Sequence, residues 1–236
     1  MVRLGPVEIR HVGRPTDGGR NGFNNDIRSV RLTDFRVNIV YHIIRDENGA
    51  WPGGFTSRAA IEGYLRNAHR TMNRVWRPAF IQFDSLRTNI YDNERVFNFR
   101  ETFGWLRDTR AFSLEQAALN IFIVNTRQRQ VIGTGSTLQR LRNAGIAAVA
   151  LTQGGVRFHA FTTGLISAHE VGHVLALHHT SANGNPSNVM FNTMAVAFDT
   201  GTPPSNTTLL TLNRDQVERV NRRLSRSGDG AAFRIE

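Results

Sequence analysis

His169-Glu170-Val171-Gly172-His173-Val174-Leu175-Ala176-Leu177-His178-His179 is the stretch on which the reading of this chain turns. Two histidines at i and i+4 on a helix stand one above the other on the same face, so both imidazoles reach one ion. Glu170 lies about 100° round the helix from His169, beside such an ion rather than on it. There it can accept a proton from water that the ion has acidified and hand it to a leaving group. With eight His and nine Glu in the chain, roughly 0.01 occurrences of the five-residue pattern are expected by chance, which makes it specific. Leu165, Ile166, Val171, Val174 and Leu175 give the helix a core-facing side. The competing reading is a buried helix whose histidines are merely hydrogen-bonded.

A catalytic site of this kind needs a third protein ligand and one open position. On a continuous helix His179 would stand about 15 Å along the axis from His169, far beyond a metal bond of roughly 2 Å. It can ligate only if the helix ends near residue 176 and the chain turns back. If the helix runs further, the third ligand is His178 or a carboxylate such as Asp199, Asp215 or Glu218. The chain has no cysteine, so thiolate ligands, disulfides and cysteine nucleophiles are excluded.

Working outward, Phe35–Ile44 alternates early and is rich in β-branched residues, which predicts a strand buried on both faces toward its end. Ile61, Leu65, Ala68, Met72 and Val75 fall at helical spacing, giving a helix over 57–76, capped by Thr56 or Ser57 and stopped by Pro78. Short strands are expected at Ala79–Phe83 and Arg95–Phe99, a central strand at Ala118–Val124 and another at Gly145–Leu151. Gly133 and Gly135 read as loop; Gly154-Gly155 turns the chain into Val156–Phe161, and Thr162 or Thr163 opens the helix of the central motif. Ser181–Asn188 and Thr200–Thr208 are irregular. A last helix starts near Asn213, with Gln216 as the capping-box partner three residues on.

The central stretch resembles the metzincin metalloprotease signature H-E-x-x-H-x-x-G-x-x-H, matching at His169, Glu170, His173 and His179. Ala176 stands where that signature has glycine, and alanine in a left-handed helix end costs roughly 1 kcal/mol or more. The resemblance implies a zinc endopeptidase in which those three histidines bind Zn²⁺ and Glu170 is the general base. Asn188-Val189-Met190-Phe191 resembles the family's methionine turn, implying that Met190 lies beneath the metal, with Met194 as a competitor. The fold implied is α+β and metzincin-like: a twisted mixed β-sheet with a backing helix and an active-site helix, plus a small, mostly irregular C-terminal subdomain closed by a helix. Residues 1–31 would be an extended arm or pro-segment remnant, 32–176 the N-terminal subdomain and 177–236 the C-terminal one. Within the clan the layout is nearest to pappalysin-like and matrixin-like enzymes. The resemblance also implies that Ile146–Leu151 borders the cleft, with Ala147, Ala148, Val149 and Ala150 binding an extended peptide through main-chain hydrogen bonds, and that Phe191–Phe198 shapes the pocket. A non-catalytic, zinc-stabilised binding domain is the alternative; the intact Glu170 favours catalysis.

The 236 residues suffice for a sizeable core, and 40% apolar content with 15 Phe argues for a folded globular chain. The formal charge is +10 with every basic residue an arginine, so anionic surfaces are candidate partners besides a protein or peptide substrate. The arginines of the last helix (Arg219, Arg222, Arg223, Arg226) have no aromatic residues interleaved, so no nucleic-acid partner is expected. No apolar run approaches the roughly 20 residues that cross a bilayer. The first 14 residues lack the apolar core of a signal peptide, so the expected secreted or extracellular location would need a removed leader or another route. A monomer is expected. Asp46, Asp92 and Glu94 could offer oxygen ligands to calcium, but without EF-hand spacing, and Asp17 or Asp26 could cap the zinc in a latent form. His42 reads as core, His159 as a strand histidine with a local hydrogen bond, and His11 and His69 carry no signal.

Overall fold

The computed structural model describes residues 7–8, 31–32, 35–98, 112, 114–115, 118–126, 133–136, 145–180, 187–191 and 211–225. Met194, Asp199, Asp17, Asp26, His11 and most of the expected pocket wall after Phe191 lie outside these residues. The described residues begin with β1 (Val7–Glu8), paired antiparallel to β2 (Arg31–Leu32). β3 (Phe35–Arg45) then opens the main sheet. Its first five residues alternate in burial and the next five are buried throughout, as expected for a strand that becomes covered on both faces.

Helix α1 (Arg58–Trp76) follows, capped by Ser57, whose hydroxyl accepts from the Ala60 amide at 3.3 Å. Its stripe of Ile61, Leu65, Ala68, Met72 and Val75 is buried. Pro78 ends it in a 3-10 turn over Arg77–Ala79. β4 (Ile81–Asp92), β5 (Leu119–Val124), β6 (Gly133–Ser136) and β7 (Gly145–Ala150) complete a mixed sheet in the order β4-β3-β5-β7-β6. β4, β3, β5 and β7 are parallel, and β6 runs antiparallel to β7. The fold is α+β. Helices α1 and α3 (Ala160–Val174) pack on one face, over Phe35, Val37, Ile39, Ile121, Ile123, Ala147 and Val149. The other face carries Ile44, Phe122, Val124, Ile146 and Ala148 beneath Val96 and Phe97. Helix α4 (Arg214–Ser225) closes the described chain and adds Val217, Val220 and Leu224 to the first core.

Five expectations are corrected. The strand expected at Arg95–Phe99 is instead a short helix, α2 (Glu94–Phe97), because Asn93 caps it by accepting from the Val96 amide at 3.0 Å. The strand expected at Ala79–Phe83 starts two residues later and runs to Asp92, since pairing along the whole of β3 outweighs its weak apolar pattern. Gly133 and Gly135 belong to a strand, not a loop. Val156–Phe161 is a strand only over Val156–Arg157 (β9), in a hairpin with β8 (Thr152–Gln153). The next helix opens at Ala160 and not at Thr162 or Thr163, because the His159 ring nitrogen accepts from the Phe161 amide at 3.3 Å, the service usually given by Ser or Thr.

The sheet also corrects the assignment of peptide pairing to Ala147, Ala148, Val149 and Ala150. β5 pairs with β7 over Gly145–Ala150 and β6 pairs with it over Ile146–Val149, so its main-chain groups are engaged on both sides. All four side chains are buried. Among the described residues, the outermost strand on that side is β6.

Candidate metal centre

Helix α3 delivers His169 and His173 one turn apart near its C-terminus. The helix then stops abruptly. The Ala176 amide donates to His173 O and the Leu177 amide to Gly172 O, both at 2.9 Å, the paired bonds of a Schellman end. Ala176 adopts φ 65°, the left-handed conformation that this motif requires and that favours glycine. The reversal brings His179 back to the helix instead of leaving it about 15 Å up the axis.

The three Nε2 atoms now face one another. His169 lies 3.1 Å from His173 and 3.1 Å from His179, and His173 lies 3.0 Å from His179. His169 Nδ1 is 2.6 Å from Val189 O and His173 Nδ1 is 3.0 Å from Leu177 O. Carbonyl oxygens only accept, so both Nδ1 atoms carry the ring proton and both Nε2 atoms present lone pairs. Burial pushes the His169 pKa down to about 3, helped by the adjacent His173, and burial lowers that of His173 as well. Both rings are therefore neutral at pH 7. The His169 and His173 lone pairs, 3.1 Å apart with no proton of their own between them, repel unless a cation or the His179 ring proton lies among them.

The triangle fits a metal. Its centre is about 1.8 Å from each nitrogen, and a point about 1 Å off the plane reaches the 2.0–2.1 Å of a zinc–imidazole bond with one side left open. Among the described residues this trio is the group of His and carboxylate side chains able to hold an ion. His178 is exposed and takes no part in it. Asp215 and Glu218, the latter paired with Arg214 at 2.7 Å, likewise stand outside the trio.

Beneath and beside the trio, two glycines explain how closely its parts fit. A Cβ on Gly172 would collide with the Sδ of Met190, which is fully buried under the helix. A Cβ on Gly133 would come within 2.5 Å of Glu170 Oε1 and 2.8 Å of its Cδ. Strand β6 thus makes room for the Glu170 side chain, which is buried.

The other candidates have local duties. Asp46 accepts from the amides of Asn48 and Ala50, Asp92 forms a two-point pair with Arg45 at 2.6 and 2.8 Å, and Glu94 accepts from the Asn98 side-chain amide, so each carboxylate considered for calcium has a local partner. His42 is core, stacked on Phe122 at 4.7 Å and bonded to Asn120 Oδ1 at 2.9 Å. His69 bridges Tyr41 and Phe83 O. The sequence reading missed Gly133, Gly172 and the Val189 carbonyl. The glycine in the second x of His-Glu-x-x-His was a visible signal for the second; nothing local marked the others.

No family profile matches the sequence, and no curated protein matches it. Solved structures share part of its outline. One described as mirolysin in complex with compound 9 is similar at TM-score 0.48 and 17% identity, over 84% of this chain and 94% of that one. Another, described as the structure of a chaperone-substrate complex, is similar at TM-score 0.46 and 12% identity, over 80% of this chain. This chain spans 34% of that second chain's length.

Proposed function

We propose that the chain is a zinc-dependent endopeptidase of the metzincin type, with His169, His173 and His179 as the metal ligands and Glu170 as general base. The observation that carries this is the meeting of three Nε2 atoms at 3.0–3.1 Å, with two of the rings held in the required tautomer by backbone carbonyls. An all-imidazole set with an open side suits zinc, which when bound polarises a scissile carbonyl and acidifies water. Glu170 takes the proton of the attacking water and delivers it to the leaving amine, so no covalent acyl intermediate forms on the protein. The missing side chain at Gly133 leaves the space that the Glu170 carboxylate occupies against strand β6. An extended peptide adds along β6, the outer strand beside Glu170, through main-chain hydrogen bonds. Met190 supports the helix from below. A division into subdomains at residues 176 and 177, a monomeric state and action outside the cell belong to the same reading. Mere metal holding places no demand on Glu170, whose buried carboxylate lies against Gly133 of strand β6.

Casein cleavage tests this. Cleavage is expected with one zinc per chain, is lost on chelation and returns with Zn²⁺. Glu170→Ala should retain zinc and lose activity by about a hundredfold or more. Full cleavage by that variant refutes the mechanism.

A further inference from the structure

The His169 ring is aimed by the carbonyl of Val189, and that carbonyl belongs to the turn Asn188–Phe191. The turn is held from within by Asn188, whose Oδ1 accepts from the Met190 amide at 2.8 Å and whose carbonyl accepts from the Phe191 amide at 3.0 Å. Asn188 is itself held by helix α4. Its Nδ2 donates to Gln216 Oε1 at 2.8 Å, and Gln216 Nε2 donates back to Asn188 Oδ1 at 3.1 Å. Two amides joined by a reciprocal pair of bonds leave Asn188 little rotational freedom. Gln216 is fixed in turn, because Oε1 also accepts from the Asn213 amide at 2.9 Å and its own amide donates to Asn213 Oδ1 at 2.9 Å. Both amide side chains are buried, so water does not compete for these bonds.

We propose that Gln216 is a positioning residue of the metal centre, acting through Asn188 and the Val189 carbonyl to set the direction of the His169 Nε2 lone pair. The closing helix thereby sets the affinity of a site to which it contributes no ligand. The inference rests on the reading of the three histidines as zinc ligands. Gln216 has two separable duties. Oε1 serves the helix start, whereas Nε2 serves the turn. Gln216→Glu keeps an acceptor for the Asn213 amide, so the capping box survives. It removes the donor to Asn188 Oδ1 and sets an oxygen against that oxygen, which twists the amide out of its place.

The test uses the full chain, stripped by chelator, and measures Zn²⁺ affinity by competition with a chromophoric chelator. The absorption band of the Co²⁺-loaded protein reports ligand geometry. Gln216→Glu should weaken zinc affinity about tenfold or more, the size typical of residues that orient a ligand from behind, and should alter the Co²⁺ band. Val217→Ala, which removes apolar volume from the same helix, is the control for general loosening and should leave both readings near those of the parent. Parental affinity and an unchanged band in Gln216→Glu overturn the proposal. An equal loss of affinity in Val217→Ala also overturns it, since the effect would then be loosening of the helix as a whole. If the parent chain takes up no zinc, the underlying reading fails as well, which separates that failure from the first two.

Discussion

Replacing Ala176 by glycine should make this protein more stable without changing what it binds. Ala176 occupies the left-handed position of the α3 terminus at φ 65°. A Cβ there crowds the following carbonyl, at a cost of roughly 1–2 kcal/mol for a residue other than glycine. Removing the Cβ relieves that crowding but frees the unfolded chain, which takes back about 0.4–1 kcal/mol. The net gain is about 0.5–1 kcal/mol. For a chain of this size 1 kcal/mol moves the melting temperature by about 2–4 °C, so a rise of about 1–4 °C is expected. The two bonds of the Schellman end are main-chain bonds and survive the change. Thermal unfolding of the zinc-free protein by circular dichroism, with zinc stoichiometry measured separately, is the assay. A fall in melting temperature refutes the strain argument. Loss of zinc with stability unchanged refutes the claim that the main-chain bonds alone bring His179 round.

Gly133→Ala should push the Glu170 carboxylate from its seat and lower kcat about tenfold or more with zinc retained; full activity rejects the placement of that carboxylate. Stability of the zinc-free protein should fall with acid. His169 has a folded-state pKa of about 3, below the value near 6.5 of an unfolded histidine, so the unfolded chain binds the extra proton between these values. This contribution is complete above about pH 6.5 and is lost as pH falls toward 3, with a slope approaching about 1.4 kcal/mol per pH unit; His173, also lowered, acts in the same direction. Urea midpoints in chelator at pH 8, 7, 6 and 5 measure it, and a flat profile counts against neutral burial of the rings.

What was legible in the sequence is what depends on local spacing or on a single hard demand. The helical rise placed His169 and His173 together, and the same rise made the turn at residue 176 a requirement for His179 to ligate. Asn213 and Gln216 announced their capping box. The losses came where a distant partner decides. β4 extends to Asp92 because β3 lies beside it for eleven paired positions, a fact absent from its own pattern. Gly133 and Gly135 look like loop residues until helix α3 passes over them and leaves no room for side chains. The central place of β7 followed from nothing in Gly145–Ala150 itself, since an apolar run reads alike with one neighbour or two. Val189 contributes a carbonyl, and carbonyls carry no letter in a sequence.

The parallel pairing of β3 with β5 sets the tempo at which this molecule comes into being. Val40 meets Asn120, so a span of 80 residues (120 − 40) must be closed before the middle of the sheet exists. Loop closure over such lengths forfeits entropy that later contacts must recover, and proteins dominated by these pairings fold in milliseconds to seconds or slower. The three histidines lie within ten residues of one another and can meet early, yet the carbonyl that aims His169 sits on a turn anchored by the last helix. On the proposed role of Gln216, the histidine cluster takes its final geometry only after the last helix has been made.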